Sequence, residues 1–380
     1  MQTRKYGKTG ITTSLFGMGC MRLPTIKGEA GLEEIDKEKA IEMVQYAATH
    51  GVTYFDTAYG YHNQKSESLV GEALDGGLRE KVTIATKQPF SVMKTKENMR
   101  RNLENTLKKL RTDYIDVYLF HNIQPQTWED IKAFGAIEEF EKFRQEGLIR
   151  NIAFSYHGDA VTFKKVVDYY DWSMSQIQQN ILDTDQQATS EGIRYAGKKG
   201  LAVVIMEPLR GGGLALPPKE VREIYENYNE KRTAVEWAFR HLYDFPEVSV
   251  ILSGVSTLEQ LKDNIRIFSE PDVQPGCLTD EDRKMLELVK KTYEARAGIN
   301  CTGCEYCQPC PNGVEIPRIF SSYNMGMMYD NMEFGRNRYN FSKRNGTDAS
   351  NCVECGLCES KCPQGLNIIE LLKKVHAELN

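Results

Sequence analysis

The sequence has little that would carry it into or onto a membrane. Its longest uninterrupted apolar stretch is Leu201–Met206, far short of the roughly 20 residues that span a bilayer. The N-terminus, MQTRKYGKTG, is polar and lacks the apolar centre of a signal peptide. A basic surplus is missing as well: 48 Lys+Arg stand against 53 Asp+Glu, a net charge of -5. That balance argues against nucleic acid or an acidic lipid surface as a partner. Cysteine is scarce over most of the chain, with only Cys20 and Cys277 before residue 301, so a disulfide-stapled secreted fold is excluded. Core-forming material is not lacking: 41% hydrophobic and 27% charged residues are the proportions of an ordinary globular protein. The expected location is the cytoplasm, and 380 residues give a prior of two or three domains.

From Leu15 to about Phe268, short apolar runs alternate with longer amphipathic segments. The short runs are Leu15–Met21, Val52–Phe55, Val82–Thr86, Tyr114–Phe120, Ile149–Phe154, Met174–Gln178, Leu201–Met206 and Val248–Leu252. Several are rich in Val, Ile, Tyr or Phe and end in Gly, Ser, Asp or Pro, as buried parallel strands do. The amphipathic segments, at 36–50, 95–110, 128–146 and 232–243, predict helices. Eight such units fit one closed (β/α)8 barrel. An open doubly wound sheet would normally carry G-x-G-x-x-G after its first strand. Here Phe16-Gly-Met-Gly-Cys-Met-Arg22 lacks the third glycine. Residues 1–12 read as a hairpin capping the lower mouth of the barrel, and 208–232 as a long loop. A last helix is expected from Thr279 to Ala297. The predicted architecture is a TIM barrel over 1–290 followed by a small, mostly α-helical domain over 297–380.

Chemistry in a (β/α)8 barrel sits at the C-terminal ends of its strands. There the sequence places Asp56 and Tyr61 after strand two, Lys87 after strand three and His121 after strand four. Singly, Asp56 could cap a helix and Lys87 could be a solvated loop residue. Four such groups on three consecutive strand ends are hard to explain by accident. In identity, order and strand position they resemble the Asp-Tyr-Lys-His tetrad of the aldo-keto reductases. That resemblance implies interconversion of a carbonyl and an alcohol with a nicotinamide dinucleotide, NADP or NAD. Hydride addition leaves an alkoxide that must be protonated as it forms, and a free phenol, with a pKa of about 10, is a poor acid. Lys87 is expected to lower the pKa of Tyr61, and Asp56 to hold Lys87 charged and in place. His121 is expected to donate a hydrogen bond to the carbonyl oxygen.

The resemblance also implies cofactor contacts. Ser155 and Gln178, ending strands five and six, match positions that bind the nicotinamide carboxamide, although Tyr156 stands where the family usually has Asn. After strand seven, Met206, Pro208, Leu209 and Arg210 fall where many members place an aromatic ring on nicotinamide. After strand eight, Ser253, Gly254 and Ser256, with Gln260 and Asn264 on the next helix, resemble the site for the pyrophosphate and adenosine phosphate. Gln260 replaces an arginine common in members that bind NADP tightly, and a neutral amide suits a phosphate less well. Arg210 is a candidate to compensate, a solvated loop arginine being the equal alternative.

The remaining cysteines fall together. Cys352-x-x-Cys355-x-x-Cys358-x-x-x-Cys362-Pro363 is the run that binds a 4Fe-4S cluster in bacterial ferredoxins. Cys301-x-x-Cys304-x-x-Cys307-x-x-Cys310-Pro311 repeats it with a last gap one residue shorter. Paired C-x-x-C elements also make zinc sites, but eight thiolates with two Cys-Pro ends favour two 4Fe-4S clusters. The shortened gap leaves the assignment of cysteines open. An interleaved arrangement would give one cluster Cys301, Cys304, Cys307 and Cys362, and the other Cys352, Cys355, Cys358 and Cys310. The stretch 318–350 shows little periodicity and reads as short helices and loops, and Ile368–Leu379 as a helix. The whole chain is similar to aldo-keto reductases that carry a C-terminal ferredoxin-like domain. The partners implied are a small carbonyl substrate and an electron-transfer protein. The alternatives are an electron-transfer oxidoreductase, or a redox sensor whose barrel binds nucleotide without reducing carbonyls as its main activity.

Overall fold

In a computed structural model, which describes residues 1–27 and 33–380, the chain opens with an antiparallel hairpin. It pairs β1 (Thr3–Lys5) with β2 (Thr12–Ser14). Between them Tyr6 is fully buried and its hydroxyl meets that of Tyr54 at 3.1 Å. Tyr6 belongs to the same apolar cluster as Met174, Ala202 and Val117. The hairpin therefore closes the N-terminal end of the strand bundle, as expected.

β3 (Phe16–Gly19) follows, and a small outlying pair joins β4 (Thr25–Lys27) to β5 (Glu33–Ile35). The other strands are β6 (Tyr54–Asp56), β7 (Thr83–Pro89), β8 (Ile115–Ile123), β9 (Ile149–Tyr156), β10 (Met174–Gln178), β11 (Ala202–Met206) and β12 (Val248–Gly254). With β3 they close into one parallel barrel in sequence order, β12 returning to pair with β3. Each arises from one of the eight apolar runs, because a strand buried on both faces must be apolar throughout.

Between the strands run α1 (Lys37–Thr49), α2 (Ser66–Ala73), α3 (Lys96–Leu110), α4 (Pro125–Phe134), α5 (Ala136–Gln145), α6 (Ala160–Tyr169) and α7 (Thr189–Lys198). Asp36, Thr95 and Asp159 cap α1, α3 and α6 by accepting from backbone N–H groups three residues on. The single helix expected over 128–146 is two. Gly135 takes a left-handed φ of 68°, open to glycine without steric cost, and the chain turns there.

Two compact units result: residues 1–211 with 236–279, and residues 212–235 with 280–380. The stretch 208–232, read as a loop, carries α8 (Lys219–Asn227). After α9 (Ala234–Tyr243) and α10 (Leu258–Ile267) comes α11 (Asp280–Ala295). Within the second unit, Tyr228 donates to Asp282 at 2.8 Å and Arg296 pairs with Glu220 at 2.8 Å, which ties the α8 segment to α11. The stretch read as short helices and loops, 318–350, instead holds most of two 13-residue helices, α12 (Ile316–Met328) and α13 (Met332–Arg344). The buried face of α12 is Ile316, Ile319, Phe320 and Tyr323, at helical spacing. Its first member, Ile316, precedes residue 318. α14 (Ile368–Leu379) adds Ile368, Leu372, Val375 and Leu379 to the same core. Among the described residues no helix is long and apolar enough to cross a membrane.

α2, which starts just past Tyr61, lies directly on the end of α3. A Cβ on Gly71 would fall 2.3 Å from the carbonyl oxygen of Lys109. Gly71→Ala should therefore force the two helices apart and cost about 1–3 kcal/mol, read as a lower midpoint in urea unfolding.

Candidate functional site

The barrel interior is apolar through its lower layers and turns polar at the top. The side-chain alternation of a strand sets where the change falls. Inward residues Tyr54, Ala85, Leu119, Ala153 and Met174 belong to the interior apolar cluster. Two positions further along their strands come Asp56, Lys87, His121, Ser155 and Gln176. One polar ring thus sits on the core, built from five consecutive barrel strands.

Lys87 is at its centre. Its Nζ donates to Asp56 Oδ1 at 2.7 Å, to the Thr57 carbonyl at 2.8 Å and to the Tyr61 hydroxyl at 3.3 Å. The Asp56 and Lys87 side chains are 3% and 1% exposed, so this is a fully desolvated ion pair. The edge of the Tyr61–His121 ring pair is T-shaped, with centroids 6.3 Å apart. Tyr61 is followed by three non-glycine residues in left-handed conformation, His62, Asn63 and Gln64, a strained turn held in place before α2 begins.

Burial decides the protonation states. It raises the pKa of Asp56, with Lys87 pulling the other way. Burial alone would lower Lys87, but Asp56 and Tyr61 together raise it above the ordinary lysine value. For Tyr61, burial outweighs Lys87, and the phenol is held above its ordinary value. The expected downward pull of Lys87 is therefore present but does not win. Burial, then the nearby Lys87 charge, pushes His121 down to about 3. At neutral pH the site presents a protonated phenol, an ammonium and a neutral imidazole.

The other expected positions divide. Ser155 Oγ accepts from the Asn122 backbone N–H at 2.7 Å. Gln178 Nε2 donates to Asp183 at 2.8 Å, and its Oε1 accepts from Gln187 at 3.1 Å. Arg210 is paired with Asp183, Nε to Oδ2 3.2 Å, and does not stand in solvent. Met206 lies against Gln176, whose Nε2 is 3.9 Å from its sulfur. Pro208 and Leu209 follow β11 toward Arg210. Gln260 Oε1 accepts from the Ser256 N–H at 2.9 Å, and Asn264 donates to Ser253 at 3.0 Å. Thr257 caps α10.

Three residues escaped sequence reasoning. The buried acceptors Gln176 Oε1 and Asp183 Oδ1 have no hydrogen-bond partner among the described residues, and a carboxamide N–H2 would satisfy such atoms. Arg22 lies so close to Gly254 that a Cβ there would be 2.9 Å from Arg22 Cγ, which puts a cation beside the Gly-Ser turn. Gln176 was within reach, since it shares the inward face of β10 with Gln178; Asp183 and Arg22 sit in irregular segments without a pattern to mark them.

In the second unit the cysteines ring two cavities. One is lined by Cys301, Cys304, Cys307 and Cys362. The other is lined by Cys310, Cys352, Cys355 and Cys358, and by Cys307 as well. All eight thiols are free. They surround volumes rather than points: among the described residues no three His, Cys, Asp or Glu side chains close on a single-ion site. The two loops share a backbone. φ is positive at Gly303 and Glu305 in one, and at Glu354 and Gly356 in the other. The glycine and the glutamate have exchanged places around the second cysteine, and the left-handed pattern is the same.

The closed barrel and the cysteine-rich second unit are those of an oxidoreductase with an iron–sulfur domain. The chain belongs to the aldo/keto reductase family, whose model matches residues 16–275, and a 4Fe-4S dicluster domain matches residues 300–367. It is an NAD(P)-dependent oxidoreductase of that family. Among its relatives is the uncharacterized oxidoreductase YqkF of Bacillus subtilis, 26% identical over 321 residues that cover 76% of this chain and 96% of YqkF. The holo aldo-keto reductase AKR11C1 of Bacillus halodurans superposes with a TM-score of 0.63 at 27% identity, covering 76% of this chain and 96% of its own. An aldo/keto reductase of Klebsiella pneumoniae in complex with NADP and acetate shares the fold, with a TM-score of 0.61 at 20% identity over 76% of this chain and 95% of its own.

Removing one member of the buried pair strands the other. Lys87→Met should destabilise the protein by about 3–5 kcal/mol. Adding Asp56→Asn should recover much of that loss, so a double-mutant cycle in urea should give strong coupling between the two positions.

Proposed function

We propose that the barrel interconverts a carbonyl and an alcohol, with Asp56, Tyr61, Lys87 and His121 as its catalytic groups and a nicotinamide dinucleotide as redox partner. The observation that carries this reading is Lys87 Nζ bonded at once to Asp56 and to the Tyr61 hydroxyl in a desolvated pocket. The residues present fit such a cofactor. Ser155, Gln176 and Asp183 offer polar atoms for its carboxamide, Met206 a soft apolar contact, and Ser253, Gly254, Ser256 and Arg22 an anion site at the start of α10. When bound, the reduced nicotinamide supplies a hydride.

The chain's own groups manage charge and protons. His121, neutral, donates one N–H to the carbonyl oxygen and so stabilises negative charge where it develops. Tyr61 gives its phenolic proton to that oxygen, and the phenolate left behind is stabilised by Lys87 3.3 Å away. Asp56 keeps Lys87 charged and fixed through that change. Burial of the phenol makes it a reservoir that holds its proton until the alkoxide forms.

The eight tail cysteines we read as ligands of two 4Fe-4S clusters in the interleaved arrangement, supported by the membership of the two cavities. Such clusters store and pass single electrons. Cys304 and Cys355 are exposed, and so are the neighbouring apolar side chains of Tyr306, Val353 and Leu357. That exposure supports electron exchange with a protein partner.

Tyr61→Phe should abolish carbonyl reduction and leave nucleotide binding intact, as measured by turnover and by nucleotide fluorescence titration. The pH profile follows from the directions of the shifts. His121 titrates near 3 and Tyr61 above its ordinary value, so kcat/KM for reduction should run flat through pH 6–8. It should fall only in alkaline solution, as the acid is lost; an inflection near 6.5 would contradict the role given to His121. Anaerobically purified protein should contain about eight iron and eight sulfide per chain.

A further inference from the structure

Behind the polar ring, on the side of β7 that faces the helices, lies a carboxylate with no part in the chemistry above. Glu67 is fully buried. Its Oε1 accepts from the Thr86 hydroxyl at 2.8 Å and from the Thr106 hydroxyl at 3.2 Å, and its Oε2 from Lys109 Nζ at 3.3 Å. Thr86 comes directly before Lys87, so its side chain leaves β7 on the opposite face. Thr106 and Lys109 belong to α3. One carboxylate therefore ties α2 to a barrel strand and to a second helix. An ionised group wholly out of water is costly where an apolar side chain would fill the same space. Packing alone does not account for it.

What Glu67 holds is the start of α2. That helix begins at Ser66, and the turn from Tyr61 runs through the left-handed His62, Asn63 and Gln64. Residues keep that conformation only where their surroundings impose it. Lys65, at the N-cap, supplies no side-chain cap, and the fixing bonds come from the two residues after it. Ser66 Oγ donates to the Cys20 carbonyl at 3.0 Å and meets Thr57 Oγ1 at 2.9 Å. The Ser66 N–H closes the turn on the Tyr61 carbonyl at 3.3 Å. Ser66 thus ties the turn to the ends of β3 and β6, and Glu67 ties it to β7 beside Lys87. The Tyr61 contact, at 3.3 Å, is the longest of the three that Lys87 Nζ makes, and so the first to be lost if the turn shifts.

We propose that Glu67 is a positioning residue which, through Thr86 and the start of α2, sets the distance between the Tyr61 hydroxyl and the Lys87 ammonium. The inference rests on the carbonyl-reduction reading above, and Glu67 acts through those two groups rather than on the reacting atoms. With the link cut, the turn relaxes, Lys87 stabilises the phenolate less, and protonation of the alkoxide slows. A through-space effect of the Glu67 charge has the opposite sign. Burial raises the Tyr61 phenol and Lys87 draws it down, with Asp56 and Cys20 the other charged or titratable neighbours and His121 edge-on to the ring. Losing the Lys87 contact moves the phenol further up, whereas removing a nearby negative charge moves it down. Lys109 and Tyr118 are the titratable groups on the Glu67 side.

The test uses the full-length holoprotein with propanal and either NADPH or NADH. Glu67→Leu should lower kcat by about 10–100-fold. KM for propanal and the nucleotide Kd should stay within about twofold, because ground-state binding is untouched. Glu67→Gln, which keeps an oxygen for Thr86 and Thr106 without the charge, should restore most of kcat. Thr86→Val should repeat the loss in milder form. With tyrosine rings labelled in carbon-13, an alkaline titration reads the Tyr61 phenol without turnover, its signal identified by its absence in Tyr61→Phe. The midpoint should rise in Glu67→Leu and Thr86→Val and stay in place in Glu67→Gln. A fall in both Glu67 variants would assign the effect to charge and overturn the proposal. So would a kcat loss with an unmoved midpoint, which is what a merely structural role gives, or a loss confined to KM or nucleotide binding. Should Glu67→Leu not fold, Thr86→Val and Glu67→Gln carry the same comparison. Should the unaltered protein reduce propanal with neither nucleotide while the midpoints move as expected, the carbonyl reading falls and the positioning of Tyr61 stands.

Discussion

Taking an ammonium and a carboxylate out of water together is costly, and the barrel does so at Lys87 and Asp56. Each ion is expensive to desolvate alone, and their attraction offsets the cost only if the geometry is held. The strands hold it. Asp56 lies opposite Ala85 in the register, one inward position below Lys87, so the pair forms wherever the barrel closes correctly. The orientation of Tyr61, the suppression of charge on His121 and the fixed direction of the Lys87 donors all follow from that one desolvated contact. A surface version of the same pair would be worth little and would orient nothing.

The sequence announced this arrangement because strand alternation is short-ranged. Apolar runs located the eight strands, and the residues just past them located Asp56, Lys87 and His121. Tyr61 follows the same strand end as Asp56, and the family likeness gave it its role, since no periodicity marks a residue in a turn. What stayed hidden depended on contacts distant in sequence. Whether Gln176 or Gln178 has a free acceptor is decided by Asp183 and Gln187, which lie in an irregular segment. The net direction for Tyr61 could not be read either, because it is a contest between burial and Lys87, and burial is a property of the closed barrel. The break at Gly135 was legible in principle as a left-handed stop, while the regularity of α12 is obscured by Ser321, Ser322 and Asn324 among its apolar positions.

The cysteine tail reverses that balance. Spacing alone identified the donor set, since thiolates at fixed gaps in a short loop have few other uses. The scaffold that brings 301–310 to 352–362 was not legible, because α12 and α13 carry Asn, Tyr, Met and Gly among their apolar positions. The matching left-handed residues on the two loops, Gly303 and Glu305 against Glu354 and Gly356, indicate that each loop meets the same steric demand with a different choice of where to place glycine.

The second unit takes in residues 212–235 as well as 280–380, so it is not a module hung on the end of a chain. During synthesis its first portion emerges ahead of the last barrel strand, β12, and has to wait for α11 before Glu220 finds Arg296 or Tyr228 finds Asp282.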